Sequence, residues 1–147
     1  MKSKLTIGFT GTRKGMSHEQ LSNTIAVLRA CLVSCDAMKV YGLHGDCVGA
    51  DAQFDAICRG LGLTTNCMPC TFESMRAHCP AEQISEPVAP MARNRAIVAT
   101  ADLIIACPPN KERIKKGSGT WATIGFAEKA GKDVHIIFPD GEVSLRP

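Results

Sequence analysis

The chain has 147 residues, 45% of them hydrophobic and 21% charged, with a formal net charge of +3. That fits one globular domain spanning residues 1–147, and the mild positive charge permits an anionic ligand without arguing for a nucleic-acid binder. No apolar run approaches the roughly 20 residues of a membrane span, and Met1-Lys2-Ser3-Lys4 leads into a strand rather than a signal-peptide core, so a cytoplasmic protein with no membrane partner is expected.

The first predicted strand is the β-rich run at residues 5–10, ended by Gly11-Thr12-Arg13-Lys14-Gly15. Ser17 followed by Gln20 is a capping box, and the helix it opens carries Leu21, Ile25, Leu28 and Leu32 on one face. Residues 39–43 form a second strand, followed by His44-Gly45-Asp46-Cys47-Val48-Gly49-Ala50-Asp51. The next helix groups Ala50, Phe54, Ile57 and Leu61 and ends at Gly60 and Gly62, and a third short strand covers residues 64–68. Periodicity fails over residues 69–90, where Pro80, Pro87 and Pro90 interrupt any long helix; a short helix fits residues 72–78. A loop of that length is either a binding loop or a surface excursion. Residues 91–100 read as a helix, 102–107 as the fourth strand, 119–130 as the last helix and 133–138 as the fifth strand.

Strands alternating with helices, and apolar enough to be covered on both sides, predict an α/β, Rossmann-like parallel sheet of about five strands flanked by helices on both faces. Ligands of such sheets bind at the carboxyl ends of the strands, where three glycine-bearing loops converge: Gly11 to Arg13, Gly45 to Asp51, and Gly117-Ser118-Gly119-Thr120. The last of these joins a strand to a helix start, the geometry that presents backbone N–H groups and a favourable dipole to phosphate. From that stretch alone a plain glycine-rich turn reads equally well; the gathering of three loops at one edge favours a site.

Arg13, Arg93 and Arg95 offer planar donor forks for phosphate or carboxylate, and Thr12, Ser118 and Thr120 offer hydroxyls. Asp46 and Asp51 are acceptors suited to ribose hydroxyls or to holding an arginine, although Asp51 also fits a helix cap. Lys111, Arg113, Lys115 and Lys116 form either a solvated loop or a flap over a polyanionic ligand, and Trp121 either stacks on a base or packs in the core. His44 and His135 show no partner spacing. Of the eight cysteines, Cys67-Met68-Pro69-Cys70 is a CxxC without a second pair to complete four ligands, and Cys31, Cys35, Cys58 and Cys107 fall on predicted buried faces. Reduced thiols, no metal and no resident cofactor are expected.

The order Gly11-Thr12-Arg13, His44 to Asp51, Arg93-Asn94-Arg95 and Gly117 to Thr120 resembles the SLOG nucleotide-binding superfamily over nearly the whole chain, residues 5–140. The resemblance implies a Rossmann-like fold that binds nucleotides or related ligands, with Gly45, Asp46, Gly49 and Asp51 in one binding loop and Gly117 to Thr120 on phosphate. Two branches are similar. The DNA-processing protein A branch, which binds single-stranded DNA, shares the Arg-Asn-Arg helix start. The Lonely Guy branch of phosphoribohydrolases places its active-site arginine at Arg93 and its catalytic glutamate at Thr123, and related deoxyribosyltransferases also carry an acid there. A neutral threonine cannot stabilise an oxocarbenium-like centre as a carboxylate does, and Glu128 is turned away along the helix. Binding of a nucleotide or nucleotide-derived ligand, by a sensor or sequestering module, is therefore favoured. An altered phosphoribohydrolase or N-glycosidase and a single-stranded DNA binder are the alternatives, and a homo-oligomer is the expected assembly.

Overall fold

A computed structural model of the chain describes residues 3–35, 39–113 and 118–146. Its strands are β1 (Lys4–Gly11), β2 (Lys39–His44), β3 (Thr64–Cys67), β4 (Gln83–Ile84), β5 (Leu103–Cys107), β6 (Asp133–Ile137) and β7 (Val143–Arg146). The helices are α1 (His18–Ser34), α2 (Ala50–Gly60), α3 (Pro90–Thr100) and α4 (Gly119–Lys129). The strands form one sheet in the order β4-β3-β2-β1-β5-β6-β7, parallel throughout except for the antiparallel pair β6–β7. The class matches the expectation. The count of seven exceeds five because both edges gain short strands, β4 inside the aperiodic stretch and β7 after the turn at Pro139.

Period-two alternation divides the core between the two faces. Ile7, Phe9, Val40, Ile105 and Cys107 pack with Leu28 of α1 and Phe54 and Cys58 of α2. The intervening residues Leu43, Ile104 and Ala106 pack with Ile97, Val98 and Ala101 around α3 and with Trp121, Ile124 and Ala127 of α4. Phe9 and Phe54 stack at 4.5 Å between ring centroids, which fixes α2 against β1.

The capping box at α1 forms as expected: Ser17 Oγ accepts from Gln20 N at 3.0 Å and Gln20 Oε1 from Ser17 N at 2.9 Å. The buried stripe of that helix differs from the sequence reading. It runs through Gln20, Thr24 and Leu28, with Leu21 and Leu32 only partly buried. The Gln20 amide finds partners that local patterning cannot show, its Nε2 donating to Pro108 O and Ile137 O at 2.8 and 2.9 Å. Within the aperiodic stretch a single 3₁₀ turn, Glu73–Met75, stands where a short helix was expected.

Candidate functional site

From β1 the chain runs outward through β2, β3 and β4 and then crosses back to β5 on the other side of β1, so a crevice opens at the carboxyl ends of β1 and its two neighbours. It holds a cavity of about 730 Å³ lined by the β1 and β2 loops, α3 and the first turn of α4. Gly11, Thr12, Arg13, Gly45, Asp51, Arg93, Ser118, Gly119 and Thr120 all line it. Gly117, with Lys115 and Lys116, lies outside the described residues.

The β1 loop is held open at its rim. Thr12 N donates to Cys107 O, and Ala50 N to Thr12 O at 3.0 Å. Gly49, with φ at +88°, has the Arg13 backbone where a Cβ would stand; its role is to let the two loops touch, and it does not line the cavity. Arg13 and Lys14 are exposed at the mouth, and neither side chain is bonded to any described residue.

α3 supplies the interior. Arg93 is 6% exposed; its Nε donates to Asn94 Oδ1 at 2.7 Å, its NH1 to Gly45 O at 2.6 Å, and its NH2 meets the Cys47 sulfur at 3.5 Å. No carboxylate among the described residues lies within ion-pair distance of it. A guanidinium is thus buried on neutral acceptors, a placement that favours an incoming anion. Gly45 leaves room for this side chain, since a Cβ there would overlap the Arg93 guanidinium and force it to shift. By accepting from Arg93, Asn94 Oδ1 turns its amide nitrogen toward the cavity that Asn94 also lines. Arg95, two residues on, falls on the other side of the helix, its guanidinium 4.5 Å over the Phe126 ring and away from the cavity.

At the opposite wall Ser118 caps α4, its Oγ accepting from Trp121 N at 3.3 Å. The first-turn N–H groups of Gly119 and Thr120 are left to the cavity that both residues line. Thr123 lines it as well, its hydroxyl donating to Gly119 O at 2.8 Å, so a neutral side chain stands where the resemblance expects a glutamate. Trp121 is packed against Phe138 and donates to Asn110 Oδ1 at 3.1 Å; it is a core residue one bond from the cavity wall.

The two aspartates part company. Asp46 leaves the cavity: Oδ2 accepts from Arg76 Nε at 2.9 Å and Oδ1 from Cys79 N at 2.8 Å, which clamps the aperiodic stretch to the β2 loop. Burial raises its carboxyl, but the Cys79 and Arg76 hydrogen bonds outweigh that and hold it below the ordinary value. Asp51 Oδ2 accepts from Gly45 N and Cys47 N at 3.1 and 3.2 Å. Burial pushes the Asp51 carboxyl up, against the pull of those two N–H groups and Arg93. Cys47 beside it is driven up to about 11 by burial and by Asp51, so its thiol is a neutral part of the wall.

His44, which spacing left without a role, is fully buried between Asp46 N, donating to Nδ1, and Asp55 Oδ1, both at 2.9 Å. With Cys79 it forms a trio whose ligand-capable atoms lie within 4.8 Å of one another. Because Nδ1 accepts a backbone N–H, the ring carries its proton on Nε2 and donates it to Asp55. A metal at Nε2 would require an imidazolate, so this donor set fits a hydrogen-bonded core and not a cation. Lys111 pairs with Asp140 and Glu142, and Arg113 with Glu128, which ties these two cations of the charged run to the surface. Among the described residues no helix is long and apolar enough to cross a membrane.

Comparison with solved structures identifies the fold. A molybdenum cofactor binding protein from the phototrophic bacterium Rippkaea orientalis superposes with a TM-score of 0.67 at 20% identity, over 92% of this chain and 77% of that one. The structural-genomics target TM1055 gives 0.59 at 18%, over 91% and 72%. DNA processing protein A from Helicobacter pylori, described for its single-stranded DNA binding mode, gives 0.62 at 18%, over 90% and 64%. At these identities the likeness shows a shared fold. No protein-family model and no curated protein matches the chain.

Proposed function

We propose that the cavity holds a nucleotide or nucleotide-derived ligand, its phosphate seated against Ser118, Gly119 and Thr120 with Arg93 and Asn94 facing it. The observation that carries this reading is the Arg93 guanidinium, 6% exposed on a cavity wall, hydrogen-bonded only to neutral acceptors among the described residues and with Asp51, the nearby carboxylate, beyond ion-pair distance. A buried cation without a carboxylate partner is costly unless a ligand completes it. The α4 first turn, the Asn94 amide and the exposed cations Arg13 and Lys14 add donors around the same space. Likeness to a cofactor-binding and a DNA-binding protein supports a small-molecule or nucleic-acid ligand of anionic character.

With Thr123 neutral and bonded to Gly119 O, we read the site as one that binds without turnover, in a sensor or sequestering module of a single domain. Exposed Phe72 and Val88, neighbours through the Thr71 N to Val88 O bond, and Met91 at the cavity mouth support a homo-oligomer; a monomer in light scattering withdraws that part. Thermal unfolding of the whole chain against a nucleotide panel tests the main reading. A ligand at a hundred times its Kd should stabilise by about 2.7 kcal/mol, and Arg93→Gln should abolish the shift. No shift with any nucleotide, at concentrations up to several millimolar, defeats it. Steeply salt-dependent binding of single-stranded DNA in its place would favour the DNA-binding alternative.

A further inference from the structure

Beside apolar Phe9, Met75, Met91 and Ile97, the polar side chains of the described cavity wall are mostly donors: Arg13, Lys14, Arg93, Asn94 and the hydroxyls of Thr12, Ser118 and Thr120, with the α4 first turn next to them. Asp51 is the wall's one carboxylate among the described residues. Its side chain is held from one side only. Oδ2 takes both backbone N–H groups, while Oδ1 accepts from no described residue. The described side chains leave no sealed-off polar atom without a partner, so Oδ1, on a residue 5% exposed, reaches the cavity. A carboxylate oxygen on a rigid mount, with no partner among the described residues and with donors around it, is a hydrogen-bond acceptor open to a ligand's donor.

A fully ionised phosphate has no such donor to offer, and its negative oxygens are better placed on the donors at α4 than on a carboxylate. Asp51 hangs on the loop after β2, and the α4 first turn follows β5; the two strands flank β1, so their loops are two strand spacings apart, about 10 Å. A 5′-nucleotide is long enough to put its phosphate on α4 and its nucleoside end over Asp51. We propose that Asp51 Oδ1 is the nucleoside-reading group of the cavity, accepting a hydrogen bond from a sugar hydroxyl or a base N–H at the end of the ligand remote from phosphate. The inference rests on the nucleotide reading above and adds to it a reason why the site would prefer a nucleotide to free phosphate.

Calorimetry on the whole chain tests it with AMP, GMP, CMP and UMP, the 2′-deoxy and 3′-deoxy forms of the tightest of them, and pyrophosphate. In Asp51→Asn the amide oxygen can keep the Gly45 and Cys47 N–H bonds, which turns the NH2 group to the cavity and exchanges an acceptor for a donor at constant shape. The variant should bind the best ribonucleotide at least tenfold more weakly and pyrophosphate within twofold of the parent. If a sugar hydroxyl is read, the matching deoxy analogue loses a similar factor on the parent protein and little more on the variant. If a base N–H is read, the loss follows the base and spares the deoxy forms. Unchanged nucleotide affinity in Asp51→Asn overturns the inference while leaving nucleotide binding intact. Failure of the parent to bind any of the four overturns both. Should the variant not fold, the parent still decides: affinities that agree within twofold across bases and deoxy forms overturn the inference.

Discussion

Arg93 and Asp51 each keep part of their hydrogen-bonding capacity turned to the same cavity, and each is anchored by the Gly45 peptide, one through its carbonyl and the other through its N–H. Substitutions near that peptide should therefore separate charge from shape. Arg93→Lys keeps the charge but loses the fork to Asn94 and Gly45, so the Asn94 amide is no longer oriented; nucleotide affinity should fall tenfold or more in a titration, with thermal stability lowered by about 1–3 kcal/mol. Gly45→Ala pushes on the guanidinium and should weaken binding by a similar factor without touching any charge. His44 and Asp55 behave differently, because they serve stability. Burial would raise the Asp55 carboxyl, but hydrogen bonds from His44, Arg59 and Thr65 outweigh it and hold it at about 2. A depressed carboxyl contributes stability that is fully present above the ordinary 3.8 and is lost as pH falls through about 2. Urea midpoints measured between those pH values should fall for the parent and stay flatter for Asp55→Asn.

At the scale of elements, periodicity was a good guide wherever side chains meet apolar neighbours and a poor one wherever a polar side chain finds a distant carbonyl. The capping box at Ser17 and Gln20 and the glycine end of α2 are local devices, readable in a few consecutive residues, whereas Pro90, read as a helix breaker, is the first residue of α3. The buried face of α1 was not readable, because Gln20 is buried by carbonyls at Pro108 and Ile137, roughly a hundred positions away. Gln20→Leu should leave both carbonyls unpaired beside the cavity wall at Pro109 and cost about 1–3 kcal/mol in chemical denaturation, with the helix itself retained. β4 escaped notice for another reason: Gln83 and Ile84 are two residues of edge strand with no alternation to detect. The stretch that carries it is docked through its pairing with β3 and through Asp46, which receives Arg76 and the Cys79 N–H, while the Asp46 carbonyl accepts from Ala77. Asp46→Asn loses the charge opposite Arg76 and should expose residues 70–89 to limited proteolysis before the rest of the chain is cut.

Across the whole molecule, the alternation of strands and helices was enough to foresee a helix-flanked parallel sheet and to bring most of the chosen loop residues to one edge. Face and direction of individual side chains were beyond it: Arg95 is carried off by helical geometry, and Asp46 by a partner in a segment that has no pattern of its own. The distribution of charge that results has a measurable consequence. Net charge is only +3, and among the described residues the cavity cations form two shells, Arg13 and Lys14 exposed at the mouth and Arg93 buried within. Salt screens exposed charges over about 10 Å at 0.1 M but reaches a buried guanidinium far less. A small nucleotide should therefore lose only about fourfold in affinity between 50 and 200 mM salt, the change expected if about one counterion is displaced. The double substitution of Arg13 and Lys14 by alanine should flatten that dependence and leave the high-salt affinity, which Arg93 sets, within about threefold of the parent. A hundredfold or greater loss over the same salt range would mean that many surface cations grip a long polyanion, and the binding site would then extend well beyond this cavity.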